Sequence, residues 1–295
     1  MLLQAFADAD ESPLSGLWAV ATSVSGTHTE PPGVVPVVTE QLRLAVTYVS
    51  CMRAPTASDG LSRGRSIIPY LFTNRHYHGD QHDAHEFLQA VLLHAQAPHM
   101  HGLLAGVDAP KLICRDCGCW RFAEPEGFSC ICLPLVSQDG TLLMSVQAAL
   151  DAYVVPEEVG IGFRWRCDMD GGCSSERVPL KQHHFSIAPR VLCLQLVRWR
   201  AAGVGDALLH DVMCEPEVRC GGAHYALRAV ICHMGSTPKN GHYTCRIHYP
   251  TLAGSWWYYS NSERRLARPG EVGTTAKVAG SVERAYIAFY EQLAP

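Results

Sequence analysis

At 295 residues, with 47% hydrophobic and 18% charged residues and no low-complexity tract, the chain has apolar mass for one large folded domain or two ordinary ones. A formal net charge of −4, with Lys and Arg scattered rather than striped, excludes the charge signature of a nucleic-acid binder. No stretch approaches a membrane span, and Met1-Leu2-Leu3-Gln4-Ala5-Phe6 lacks the basic flank of a secretory signal and soon meets Asp8, Asp10 and Glu11.

The first hundred residues read as mainly helical. Residues 38–51 carry Leu42, Leu44, Val46, Tyr48 and Val49 at mixed spacing. A clearer helix begins at Asp83, which can cap it while Glu86 stands at the third helical position; Phe87, Leu88, Ala90, Val91 and Leu92 supply the apolar stripe. From about 110 to 185 the texture changes to short strands, glycines and paired cysteines.

Thirteen cysteines without a secretory signal point to a reducing cytoplasmic or nuclear setting, with free thiols and room for a metal site. Cys114-Arg115-Asp116-Cys117 is a Cys-x2-Cys knuckle, followed some fifty residues later by Cys167 and Cys173. Four thiolates on two separated knuckles can close a zinc tetrahedron; the alternative is a degenerate set of inert thiols, because the second spacing is Cys-x5-Cys. Gly171 and Gly172 lend that longer loop the freedom to present both sulfurs.

From residue 189 the chain is strand-rich, with an apolar run over 190–196 and further strands over 225–232 and 285–290. Residues 242–249 and 255–261 read as two strands of a hairpin. A helical lobe, a strand-rich insertion and an antiparallel sheet in that order predict an α+β fold.

His242 and Asn261 form two-thirds of a thiol-protease triad. A turn about Thr251 and Leu252 sets position 242 opposite position 261, with Cβ atoms roughly 4.5–5.5 Å apart. Asn261 then accepts the imidazole Nδ1–H and leaves Nε2 to take a proton from a thiol; the plainer alternative is a polar cross-strand pair. Gly241, with no Cβ, allows a substrate backbone to approach. As nucleophile, Cys51 has a basic neighbour in Arg53 but no place at a helix N-terminus, and Cys245 points to the opposite strand face from His242.

Five segments in order carry a resemblance. QHDAHEFL at 81–88 looks like the QQDAHEFL box of the ubiquitin-specific proteases, the papain-like deubiquitinases. LRAVICHMGSTPKNGHY at 227–243 is similar to their histidine box, and residues 257–261 to the Trp-x-x-Phe-Asn/Asp element that supplies the third triad member. Residues 191–199 and 285–290 resemble two further strands of that family.

The resemblance implies a single papain-like cysteine peptidase domain over 1–295, with thumb (1–107), fingers (108–185) and palm (186–295). It implies a monomer whose partner is ubiquitin or a ubiquitinated protein, and hydrolysis of the isopeptide or peptide bond after ubiquitin's terminal glycine. His242 and Asn261 would be catalytic. Gln81, Asp83, His233, Gly241 and Tyr243 would meet the substrate, and Cys114, Cys117, Cys167 and Cys173 would hold a structural zinc in the fingers.

Two departures stand out. Ser260 and Ser262 replace the Phe and the usual Asp that flank the catalytic Asn. Leu3-Gln4-Ala5-Phe6 looks like the tail of the family's cysteine box, which sets the nucleophile a few residues before Met1 and leaves the chain as given inactive. The alternative is a ubiquitin-binding pseudoenzyme.

Overall fold

The computed structural model describes residues 83–94, 103–160, 165–199, 207–237, 240–249, 255–260, 263–273, 276–278 and 281–294. The expected helix over residues 38–51, together with Gln81, Cys51 and Asn261, lies outside them. Helix α1 spans Ala84–His94, directly after Asp83, and buries Leu88 and Leu92. Strands β1 (Gly106–Asp108), β2 (Lys111–Ile113), β3 (Trp120–Phe122), β4 (Glu126–Phe128) and β5 (Ile131–Pro134) follow.

A second helix, α2 (Val146–Tyr153), interrupts the stretch that the sequence reading gives to short strands. Two devices start it. Ser145 caps Ala148 N–H through its hydroxyl, and the Glu215 carboxylate accepts from the backbone N–H groups of Val146 and Gln147 at 3.2 Å each. Glu215 is 68 positions away from Gln147, so half of this capping is invisible to a local reading.

Strands β6 (Glu157–Glu158), β7 (Trp165–Arg166), β8 (Glu176–Arg177), β9 (Leu180–Gln182) and β10 (Phe185–Ile187) complete the insertion as small sheets. The main sheet is built from β11 (Val191–Val197), β12 (Glu217–Cys220), β13 (Ala223–Thr237), β14 (Asn240–Tyr249), β15 (Ser255–Ser260), β16 (Glu263–Leu266), β17 (Ala276–Val278) and β18 (Ser281–Gln292). Its order is β16-β15-β14-β13-β18-β11-β5, with β12 on β13 and β17 on β18. Pairing is antiparallel except between β11 and β5.

The apolar run of β11 is buried at its first four positions, as expected of a strand covered on both faces. One face packs on α2, where Leu133, Val146, Leu150, Leu194, Leu196 and Tyr290 meet in the principal core. The fold is α+β, and the sheet brings three distant segments, α1, β13–β14 and β15, to one end.

Candidate active site

Helix α1 enters the site by its N-terminus. Asp83 Oδ1 accepts from the backbone N–H of His85 at 2.7 Å and of Glu86 at 3.2 Å, while Oδ2 accepts from Tyr286 Oη of β18 at 2.5 Å. Tyr286 in turn accepts from Gln195 Nε2 of β11 at 2.8 Å. Asp83 is thus both helix cap and clasp to the sheet; these bonds use both oxygens and leave only their remaining lone pairs for a ligand.

Behind that clasp the rings of Trp199, His233, Tyr243 and Tyr286 form a cluster with centroids 4.7–6.0 Å apart. His233 is 2% exposed, and burial pushes its pKa down to about 4, so the ring is neutral. Gly241 lies against it. A Cβ at position 241 would stand 2.1 Å from Met234 O and 2.5 Å from His233 Nε2, so glycine is required by close approach. The irregular pairing of β13 with β14 between Met234 and Thr237 makes this crossing.

His242, half-buried next to Gly241, has its Nε2 2.8 Å from Ser260 Oγ of β15. This differs from the sequence expectation in two respects. The β14–β15 ladder pairs Cys245 with Tyr259 and Tyr249 with Ser255, one residue out of step with the register that sets 242 opposite 261. A one-residue shift exchanges the faces of a strand, and here it brings Ser260 onto the face of His242 as a diagonal neighbour. In addition, Nε2 is the ring nitrogen that meets a side chain of β15. Cys245, fully buried on the other face, is remote from this chemistry as expected.

The same strand face carries a charge pair that sequence reasoning missed. Arg246 and Glu283, with side chains 1% and 0% exposed, form an ion pair, and Tyr258 Oη donates to Glu283 Oε1 at 3.0 Å. Strand alternation places 242, 244 and 246 on one face, which is the signal that could have flagged Arg246. Its partner on β18 had no local signal.

A second constellation lies in the insertion. Cys114, Cys117, Cys167 and Cys173 have their sulfurs within 4.8 Å of one another, a cluster that could hold a metal ion. Cys114 Sγ is 3.7 Å from Cys173 Sγ, and Cys117 Sγ is 3.6 Å from Cys167 Sγ. A tetrahedron with zinc–sulfur bonds of ~2.3 Å has edges of about 3.8 Å, so these separations suit that ion. The first knuckle is a tight turn closed by Gly118 N–H to Cys114 O at 2.9 Å, with Gly118 at φ 74°. Cys117 has its pKa lowered to about 6, first by the backbone N–H of Cys119 and also by hydrogen bonds from neighbouring cysteines.

The longer Cys-x5-Cys loop works through two specific glycines rather than through general looseness. Gly171 adopts φ 78°, and a Cβ on Gly172 would stand 2.8 Å from Cys167 Sγ. Trp165 and Met169 pack around the buried Cys114 and Cys167.

Comparison with known proteins agrees with this architecture. The model of the family described as ubiquitin carboxyl-terminal hydrolase matches residues 62–290. The chain is similar to mouse (Mus musculus) ubiquitin carboxyl-terminal hydrolase 17-like protein A, 26% identical over 249 residues, covering 76% of this chain and 44% of that protein. It is also similar to ubiquitin carboxyl-terminal hydrolase 36 of Drosophila ananassae, 24% identical over 238 residues, covering 72% of this chain and 20% of the relative. The chain therefore spans less than half the length of these relatives. Among solved structures, the SAGA DUB module bound to monoubiquitin matches in fold with a TM-score of 0.76 at 18% identity, over 99% of this chain and 66% of that one. The chain belongs to the ubiquitin carboxyl-terminal hydrolase family.

Proposed function

We propose that the chain is the catalytic domain of a thiol-dependent deubiquitinase that hydrolyses the isopeptide or peptide bond after ubiquitin's C-terminal glycine. The observation that carries this reading is the His242 ring, held through Nε2 by Ser260 beside a glycine that only close backbone approach explains. In the reaction, Nδ1 of His242 takes the proton of a cysteine thiol, and the sulfur attacks the terminal glycine carbonyl. The C–N bond breaks as the imidazolium returns that proton to the leaving lysine amine, and water, deprotonated by the same ring, then releases the acyl group. The reading takes the thiolate from a cysteine outside the described residues.

Ubiquitin, alone or conjugated, is the proposed partner, and the solved relatives of like fold are ubiquitin complexes. Gln81, His233, Gly241 and Tyr243 would meet its Gly-Gly tail, and Asn261 would serve with His242 as the third member of the catalytic triad. Asp83 would add acidity at the channel's edge with the lone pairs its cap leaves free. Cys114, Cys117, Cys167 and Cys173 would hold a structural zinc, tying the two knuckles of the fingers together. We propose a monomer working in the cytoplasm or nucleus; among the described residues no helix is long and apolar enough to cross a membrane.

The test is ubiquitin binding by calorimetry combined with labelling by a ubiquitin carrying a C-terminal electrophile. The 295-residue chain is expected to bind without labelling, and a chain extended with a cysteine box to label and to hydrolyse a ubiquitin amide. In the extended chain His242→Ala should lower hydrolysis by about 10²–10⁴-fold. Binding without hydrolysis in the extended chain would make the protein a pseudoenzyme. Absence of ubiquitin binding would sink both readings.

A further inference from the structure

We infer that Cys130 and Cys193 are a redox pair, a dithiol between β5 and β11 that a low-molecular-weight disulfide such as oxidised glutathione converts to a disulfide bridge. The bridge would lock β5, the edge strand of the main sheet, onto its neighbour. The inference involves neither ubiquitin nor His242 and stands apart from the proposed function.

Strand register brings the two thiols together. In the parallel β5–β11 pair Leu194 lies opposite Ile131, so one step back along both strands sets Cys193 beside Cys130. Both are free thiols, with their sulfurs 3.5 Å apart. Neighbouring strands run ~4.7–4.9 Å apart, inside the roughly 4.4–6.8 Å that separates the Cα atoms of a disulfide. Bringing the sulfurs to bonding distance takes about 1.5 Å, which side-chain rotation supplies without moving either strand. Ile131, Leu133, Leu192 and Leu194 belong to the core beside α2, and strand alternation turns the two cysteines to the other face. Among the described residues the pair gathers no third Cys, His, Asp or Glu within the 4.8 Å that groups the finger cysteines, so it is built as a thiol pair and not as a metal set.

Access sets the order of the exchange. Cys130 is half-buried and Cys193 buried, so Cys130 reacts first. Its thiolate attacks one sulfur of oxidised glutathione, forming a mixed disulfide and releasing one glutathione thiolate. Cys193, deprotonated in turn, attacks the Cys130 sulfur and expels the second glutathione thiolate. Two protein thiols are oxidised, one glutathione disulfide is reduced to two thiols, and the protons lost by the cysteines end on those thiols. A reducing compartment holds the pair as the dithiol, and an oxidising poise closes it.

The bridge would act on the least supported strand of the sheet. Strand β5 ends the sheet order and pairs with β11 in a parallel ladder, which is slightly weaker per residue than an antiparallel one. A bond between residues 63 positions apart would also close a loop that contains α2 and β6–β10.

The test equilibrates the full chain in glutathione buffers from reducing to oxidising, alkylates the remaining thiols and maps the peptides by mass. In the oxidising buffer the peptides carrying Cys130 and Cys193 should be joined, about tenfold over the free dithiol, and in the reducing buffer separate. Cys132→Ser, which removes the exposed thiol two residues on, should leave the join unchanged, and Cys130→Ser should abolish it. Amide exchange at Cys132 and Leu133 should slow about tenfold in the bridged form, because β5 can no longer part from β11. A Cys193 that stays free in the oxidising buffer, a Cys130 that stops at the glutathione adduct, or a join lost in Cys132→Ser would overturn the pair. Unchanged amide exchange in the bridged form would overturn its hold on β5. Fragmenting the joined peptides between Cys130 and Cys132 makes the same assignment in the wild type, so the test survives a variant that does not fold.

Discussion

Asp83 and Tyr286 are joined by a 2.5 Å hydrogen bond between residues 203 positions apart, linking the cap of α1 to the central strand β18. One carboxylate thus ends a helix with Oδ1 and docks that helix on the sheet with Oδ2. The orientation of α1 beside His233 and Gly241 depends on this double use.

Removing either half should cost stability in a distinguishable manner. Tyr286→Phe deletes the docking bond and leaves Gln195 without its acceptor, for a loss of about 1–3 kcal/mol. Asp83→Asn keeps a capping oxygen and should cost less than Asp83→Ala, which loses the cap as well, worth about 1 kcal/mol by itself. Urea denaturation of the three variants checks the order. Equal losses for Asp83→Asn and Asp83→Ala would show that capping contributes nothing.

Metal content gives a second expectation. Purified protein should carry about one equivalent of zinc per four-cysteine site by elemental analysis. Cys114→Ser or Cys173→Ser should remove it, and chelation should lower the melting temperature of wild type but not of those variants. Gly172→Ala should weaken retention without removing a ligand, because its Cβ meets Cys167 Sγ at 2.8 Å. Full zinc retention in Cys114→Ser would exclude this ligand set.

The buried pair of Arg246 and Glu283 is a third point of attack. Glu283→Ala leaves the guanidinium buried without its counter-ion and should cost about 3–5 kcal/mol. Replacing both partners with Met should cost much less than the single change, since no lone charge remains. Melting temperatures of the single and double variants provide the comparison; a double variant no better than the single would argue against an uncompensated charge as the cause.

His233 confers a specific acid sensitivity. Its pKa is near 4 in the fold against about 6.5 when the chain is unfolded. The unfolded state therefore binds a proton first as pH falls, and stability present above about pH 6.5 is lost on the way down to about pH 4. The loss between about pH 7 and pH 4.5 should be roughly 2 kcal/mol, and His233→Phe should remove that slope. Parallel unfolding curves for wild type and His233→Phe across this range would contradict it.

Much of the architecture was legible in the chain because local patterns decide it. Asp83 before an apolar stripe announces α1, the run that becomes β11 announces a strand covered on both faces, and the spacing of Cys114 to Cys117 announces a knuckle. Each rests on backbone periodicity or turn chemistry within a few residues. Helix α2 was hidden because part of its N-terminal capping comes from Glu215, across the fold. The closing of four sulfurs into one cluster depended on Gly172, whose need appears only where Cys167 folds back on it.

The sequence by itself determined that His242 stands on a strand beside a glycine and faces a second strand rich in aromatics. Only the tertiary structure decided which of its nitrogens is held and by what. That choice turns on a one-residue step in the β14–β15 register, which exchanges one strand face for the other.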